Sequence, residues 1–421
     1  GESARAEQAL RRAVQAVERM RDTQHGDTFK SWLLAARRAP FEDLFLYYVS
    51  GRRLADALEV VQRATARSTL DGLLESPLTE SSPARGIVAA GAWSEGMHKL
   101  ARALRASRAM ATPPIDAVLA RLRGNHVITY FRARGELWAI AIAADGTLHA
   151  TKIGGVADIG ARVAAWRRHP EDTGVADQLG SVLLPDELVP PPGAPLFVVE
   201  EDPIADVSIA ALRRHGQLML DQHAVAYAPS AAVLSATRRT QSAIRALVLG
   251  DPTGDLPQAR EEAKEVADRL KVTPRLGADA ARAAVLDASE ATLIHIAAHT
   301  VPTETGTALR LADGLLDAGT VIDHGVAAGA IVLLTCSSAP ITSHDELAPL
   351  ASAFIAAGAH TVVASRWAIP DDVALSFARM FYEANGIDNP VAAVAAAQRE
   401  LVRRGVPVEQ WATFALIGGL P

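Results

Sequence analysis

The stretch Ala330-Ile331-Val332-Leu333-Leu334-Thr335-Cys336-Ser337-Ser338 decides the fold class, because a short unbroken apolar run gives way at once to polar residues. Such a run reads as a strand buried on both faces, the mark of a parallel sheet covered by helices. It ends at Cys336, the chain's one cysteine. The carboxyl ends of parallel strands are where α/β proteins place their chemistry. A second run, Ala291-Thr292-Leu293-Ile294-His295-Ile296-Ala297-Ala298, ends in the same manner at His299. A strand-end histidine followed by a strand-end cysteine predicts a thiol nucleophile beside its base, the layout of a cysteine peptidase.

Outward from these runs, further strands are expected at Pro195 to Glu200, Ala243 to Leu249 and Thr361 to Ser365. Helical spacing separates them at Val156 to Arg168, Leu256 to Leu270, Ala278 to Ser289, Leu347 to Ala357, Asp372 to Asn385 and Pro390 to Arg403. Alternating strand and helix predicts an α/β fold with a parallel-rich sheet flanked by helices. Before it, His126 to Phe131 and Leu137 to Ile142 flank an Arg-Gly turn and read as a hairpin or meander. Nearer the N-terminus, apolar residues recur at helical steps in Ser3 to Arg21, Phe29 to Arg38, Arg52 to Leu74 and Gly91 to Met110. Thr112-Pro113-Pro114 closes that series, so two units are expected: an α-helical domain over 1–111 and an α/β domain over 112–421. No register repeats the tetratricopeptide pattern, although a degenerate helical-hairpin array remains compatible with the spacing.

Composition narrows the partners. A net charge of −6 arises from 42 Lys and Arg against 48 Asp and Glu, and the basic residues are dispersed among acids. That argues against nucleic acid or an anionic membrane as partner. No apolar stretch approaches the roughly 18 residues that span a bilayer. A single cysteine gives no internal disulfide, so a cytoplasmic setting is expected. Gly1 in place of an initiator methionine suggests a processed chain.

The chain resembles the CHAT family of caspase-like cysteine peptidases, relatives of caspases and separases. The resemblance rests on ordered matches from about Ile115 onward. Tyr227-Ala228-Pro229-Ser230-Ala231-Ala232-Val233-Leu234 is similar to the family's "yvPSasvL", and Gly250-Asp251-Pro252 with Leu256-Pro257-Gln258-Ala259 to its "gdP…LPgAeeE". His295 to His299 takes the place of "HfatHg", Leu311-Ala312-Asp313-Gly314 of "LaDG", and Ala364-Ser365-Arg366-Trp367 of "vasLW". Trp411-Ala412-Thr413-Phe414 with Ile417-Gly418 resembles the closing "WaaFvliG". The resemblance implies an endopeptidase working through Cys336 and His299, with the backbone N–H groups of Thr300 and Cys336 holding the oxyanion and no metal or organic cofactor. Thr300 stands where the family carries glycine, and a β-branched residue resists a positive φ. Counting from the apolar run against the family's "LSACeT" puts Ser337 in the nucleophile slot, whereas Cys336-Ser337-Ser338-Ala339 is similar to the separase phrase "GCSSa", in which the cysteine reacts. By the same resemblance Asp371 or Asp372, just after Trp367, would receive a substrate arginine or lysine; Asp345 and Glu346 are weaker candidates. The plain alternative for Asp371 and Asp372 is helix capping. A regulated bacterial protease of defence or cell death, acting on a particular protein and docked to a regulatory partner through its N-terminal helices, is the role implied. An inactive caspase-like scaffold that binds a protein partner is the competing reading.

Other residues have plainer readings. His295 and His299 have the spacing of two zinc ligands on a helix but lie in a strand and lack an intervening glutamate, so a structural histidine fits His295 better. Gly250-Asp251-Pro252-Thr253-Gly254 lacks the Gly-Lys-Ser/Thr ending of a phosphate loop. The acidic stretch Glu261 to Asp268 is expected to be a solvated helix face, and His324, His344 and His360 surface or loop residues.

Overall fold

The computed structural model describes residues 2–22, 37–74, 113–205, 207–236, 244–288, 291–303, 306–326, 328–336, 348–367 and 369–420. The chain divides into two compact units, Gly1–Ala117 and Val118–Pro421. The first contains the helices α1 (Glu2–Asp22), α2 (Ala39–Ser50) and α3 (Leu54–Leu74). Val14 and Val17 of α1, Phe41, Leu44, Phe45 and Tyr48 of α2, and Leu58 and Val61 of α3 are buried. Arg63 grips Glu18 with two hydrogen bonds, at 2.6 and 2.9 Å. The sequence pattern missed α2, whose crowded aromatic residues blur the helical period. The expected helices at Phe29 to Arg38 and Gly91 to Met110 lie largely or wholly outside the described residues.

The second unit opens with α4 (Ile115–Leu122), which straddles the division, and is built on a 13-stranded sheet. In chain order its strands are β1 (His126–Ala133), β2 (Glu136–Ile142), β3 (Leu148–Gly155), β4 (Leu196–Val199), β5 (Val225–Tyr227), β6 (Ala246–Gly250), β7 (Arg275–Leu276), β8 (Leu293–Thr303), β9 (Gly306–Leu311), β10 (Gly314–Leu316), β11 (Ala330–Cys336), β12 (Thr361–Ser365) and β13 (Phe414–Gly418). The order across the sheet is β10-β9-β8-β11-β12-β13-β5-β4-β1-β2-β3, with β6 lying between β8 and β7. The first three strands form the expected antiparallel meander. The strands β6, β8, β11 and β12 run parallel to one another. Apolar residues on both faces of these strands are sealed in, so the continuous runs read from the sequence have a direct cause.

The helices α5 (Val156–Arg168), α6 (Thr173–Leu183), α7 (Pro257–Leu270), α8 (Ala318–His324), α9 (Ala348–Ala357), α10 (Asp371–Glu383) and α11 (Pro390–Arg403) cover the sheet. Proline in the first turn starts α7, and Lys271 at φ 57° ends it in the left-handed conformation. The helix α7 packs on β6 and β8 and against α10, which in turn packs on β11. Phe377 of α10 stacks on Phe414 of β13, with ring centroids 3.7 Å apart. The helix expected over Ala278 to Ser289 is shorter, Arg282–Leu286, because the Asp313 carboxylate accepts the N–H of Ala283 at 3.1 Å and that of Arg282, which fixes its start. Asp313 belongs to the turn between β9 and β10, where the family-like Leu311 to Gly314 phrase lies.

Candidate active site

Two strands set the site. In the parallel ladder between β8 and β11, Leu293 pairs with Ala330 and the register runs without a slip to His299 opposite Cys336. Paired residues of neighbouring parallel strands share one face of the sheet, with backbones about 4.8 Å apart. His299 and Cys336 are therefore brought together at the carboxyl edge, as the two sequence runs implied. Cys336 is the last residue of β11. Beyond it, 337–347 lies outside the described residues, and with it Asp345, Glu346, His344 and the rest of the cysteine phrase.

His299 does not end its strand. Once β6 stops pairing at Ala297, β8 continues to Thr303 and takes β9 as antiparallel partner, Thr300 opposite Leu309. Thr300 and Val301 are β-branched and extend the strand readily. Thr300 is not among the positive-φ residues, so the strain expected of a non-glycine there does not arise.

The His299 imidazole is held by a residue that sequence reasoning did not single out. Its Nε2 lies 3.1 Å from Oδ1 of Asp255, with the histidine side chain 15% exposed and the aspartate 65%. The Thr253 hydroxyl holds the Asp255 carboxyl below the usual carboxylate range; burial opposes it, and the His299 imidazole adds to the lowering. Asp255 is placed by the loop from β6 to α7. At the head of that loop Asp251 takes φ 50° and donates its N–H to Ala297 of β8 at 3.1 Å. Its buried carboxylate accepts the Leu256 N–H at 2.9 Å and Arg260 Nε at 2.7 Å. The Gly250 to Gly254 segment is thus a brace. Gly250 is required because a Cβ there would stand 2.4 Å from the Ala263 Cβ and 2.6 Å from the Ala259 carbonyl oxygen of α7.

Four residues before His299 and on the same face, His295 is fully buried. Its Nδ1 is 3.1 Å from the Tyr382 hydroxyl on α10, and its Nε2 is 2.9 Å from Oε1 of Glu262 on α7, an ion-pair distance whose alignment falls short of a hydrogen bond. Burial pushes the Glu262 carboxyl up, with His295 opposing, and burial raises the Tyr382 hydroxyl well above its ordinary value. The expectation of a solvated Glu261 to Asp268 face holds for Glu261, Lys264 and Asp268, which are exposed, and is corrected at Glu262, which is buried. Ala259, Glu262, Ala263 and Val266 form one helical stripe, and it faces the sheet. Among the described residues no group of three or more His, Cys, Asp or Glu is arranged to hold a metal. His360 is also corrected: it is buried at the opposite edge of the sheet, before β12, whereas His324 ends α8 with its Nδ1 3.0 Å from the Thr320 carbonyl oxygen.

The exit of β12 is clamped. Arg366 pairs with both oxygens of Glu200, at 2.9 and 3.1 Å, bonds the carbonyls of Val207 and Ala205, and lies 4.7 Å from the Tyr227 ring centroid. Trp367 exchanges hydrogen bonds with Thr413 and donates its indole N–H to the Glu409 carbonyl at 2.6 Å. This anchors the start of α10. Pro370 is the N-cap and no side chain caps the helix; Asp371 and Asp372 occupy the first turn instead, which corrects the capping alternative. Asp371 is half-buried and near enough to Glu262 for their charges to interact, while Asp372 is exposed.

A family model, the CHAT domain, matches residues 173–419 of this chain, and that span takes in α6, every strand from β4 to β13, His299, Cys336 and Asp255. The chain belongs to the CHAT domain family. The expected CHAT-domain membership is borne out, and so is the α/β sheet flanked by helices. Separase of Saccharomyces cerevisiae, solved as a separase–securin complex, has a similar fold at 10% identity, with TM-scores of 0.56 and 0.54 in two structures. The match covers 97% of this CHAT chain and 37% of that chain. The Arg-specific cysteine proteinase gingipain R is a weaker structural match, at TM-score 0.36 and 10% identity over 59% of this chain and 68% of that one. No curated protein matches the sequence. No helix among the described residues is long and apolar enough to cross a membrane.

Proposed function

We propose that this CHAT chain is a cysteine endopeptidase in which Cys336 is the nucleophile and His299 its base. The observation that carries the reading is the unbroken β8–β11 register, which sets His299 opposite Cys336 at the edge where parallel strands expose their ends. The imidazole takes the thiol proton, the thiolate adds to the scissile carbonyl, and the C–N bond breaks as the imidazolium returns that proton to the departing amine. Water then hydrolyses the thioester, with His299 again the base. The N–H groups of Thr300 and Cys336 are the proposed donors to the oxyanion.

Asp371 and Asp372, in the first turn of α10 beyond the clamped Arg366 and Trp367, are the proposed acids for a cationic substrate side chain. The substrate is then a protein cut after Arg or Lys, and residues 1–111 are proposed as the part that docks a regulatory partner, in a bacterial cytoplasmic setting.

The test is labelling of the full chain with iodoacetamide or an acyloxymethyl ketone, together with a peptide-library cleavage profile. Labelling at Cys336, with hydrolysis lost in both Cys336→Ala and His299→Ala, is expected. An unreactive Cys336 and no hydrolysis of any peptide would overturn the reading and leave a scaffold. A preference for Arg or Lys that survives both Asp371→Ala and Asp372→Ala would overturn the pocket assignment alone.

A further inference from the structure

The dyad proposed above uses one nitrogen of His299, and the structure shows what the other does. A neutral imidazole carries one N–H and one lone pair, and which nitrogen holds the hydrogen is set by its hydrogen-bond partner. Nε2 faces an acceptor-only group, the Asp255 carboxylate at 3.1 Å, so Nε2 carries the hydrogen and Nδ1 the lone pair. Resting on that dyad, we propose that Asp255 is the positioning residue of this site: it accepts the Nε2–H of His299 and so fixes the tautomer in which Nδ1 takes the proton of Cys336.

Three further observations support the assignment. Asp255 is not a free-swinging surface acid, since the Thr253 hydroxyl donates to the same Oδ1 and aims it. The loop that carries it is pinned at both ends, through Asp251 to Ala297 on the histidine's own strand and through Asp251 to Leu256 and Arg260. The other histidine on that face, His295, points its nitrogens at Tyr382 and Glu262, and is not available to Asp255. When Nδ1 gains the thiol proton, the imidazolium that forms lies beside a fixed negative charge. Asp255 remains ionised throughout and touches no reacting atom.

The experiment compares wild type, Asp255→Asn, Asp255→Ala, Asp255→Glu and His299→Ala as full chains, with a peptide taken from the library profile and with iodoacetamide. Because Asp255 is largely exposed, its loss should cost about two- to five-fold in kcat, with KM unchanged. The alkylation rate of Cys336 at neutral pH should fall in step. The alkaline limb of the pH–rate profile should move to lower pH in Asp255→Asn, and Asp255→Glu should recover part of the rate. Raising salt from low to about 1 M should bring the wild-type rate toward that of Asp255→Asn and leave the variant unmoved, as a screened exposed charge requires. If His299→Ala abolishes turnover while Asp255→Asn and Asp255→Ala stay within about two-fold of wild type at low salt, the positioning role is overturned and the dyad stands. If His299→Ala alters neither turnover nor alkylation, the dyad itself fails, and the role of Asp255 with it.

Discussion

Replacing Arg366 by leucine, the residue of the family's "vasLW" pattern, asks how firmly the exit of β12 is held. The guanidinium side chain is 9% exposed and that of Glu200 17%. Leucine would leave the carboxylate without its two-pronged partner and the Val207 and Ala205 carbonyls without a donor. Breaking a buried pair costs about 3–5 kcal/mol. The lost contact with the Tyr227 face adds about 0.5–1 kcal/mol. Partial access of water to Glu200 favours the lower end, so about 3–4 kcal/mol is expected. For a unit of this size each kcal/mol lowers the melting temperature by about 2 °C, giving a fall of roughly 6–8 °C. The assay is thermal unfolding of the full chain followed by tryptophan emission, since Trp367 adjoins the clamp. Arg366→Lys should fall between, because an ammonium keeps the charge and loses the fork. Removing the orphaned acid as well, in Arg366→Leu/Glu200→Leu, should recover about half the loss. A single variant melting within about 1 °C of wild type, or a double variant no better than Arg366→Leu, would refute this reasoning.

Other perturbations have equally definite outcomes. Asp251→Ala strands the buried Leu256 N–H and puts alanine at a positive φ, so about 2–4 kcal/mol of stability should be lost in denaturant titrations, together with most turnover as the loop carrying Asp255 loosens. Gly250→Ala forces a methyl into backbone that cannot retreat and should cost about 1–3 kcal/mol, read as a lower urea midpoint at unchanged slope. Glu262 is raised above its ordinary 4.5 by burial, so the native state holds its proton more tightly than the unfolded chain does. The stability from this group is full below about 4.5 and is lost as pH rises through the raised native value. The melting temperature of wild type minus that of Glu262→Gln should therefore fall as pH is raised from 4.5; a difference that is flat or rising would contradict it.

The sheet edge that His299 and Cys336 share was legible because it depends on runs of apolar residues. The strand Thr361–Ser365 and the helices Val156–Arg168 and Pro390–Arg403 have the bounds their patterns implied, and the edge position of His299 and Cys336 follows from where two buried runs stop. Short strands were not legible. Val225–Tyr227 has three residues and no period to read, and it was visible only as part of a family phrase. The β9–β10 hairpin is not legible either, since nothing in Thr300 to Thr303 announces that β8 runs past His299 to a new partner. Asp255 was missed because its partner is distant in sequence and its loop resembled a discarded phosphate-loop pattern. The one available signal was its place after a parallel strand, just before the proline that opens α7. Glu262 was missed for the opposite reason: surrounded by acids in sequence, it lies on the inward stripe, and only the helical phase distinguishes it.

The strand Phe414–Gly418 lies between β12 and β5, so the last strand in chain order is also the seam between the two halves of the sheet. A ribosome delivers it after everything on either side. Until then the nascent chain carries two unfinished half-sheets, each with a bare edge of unpaired amides and carbonyls, the kind of edge that recruits strands from other molecules. Translation halted before Phe414 would therefore release a polypeptide whose histidine and cysteine strands are already neighbours but whose sheet remains open at two places, a product suited to aggregation or to capture by chaperones.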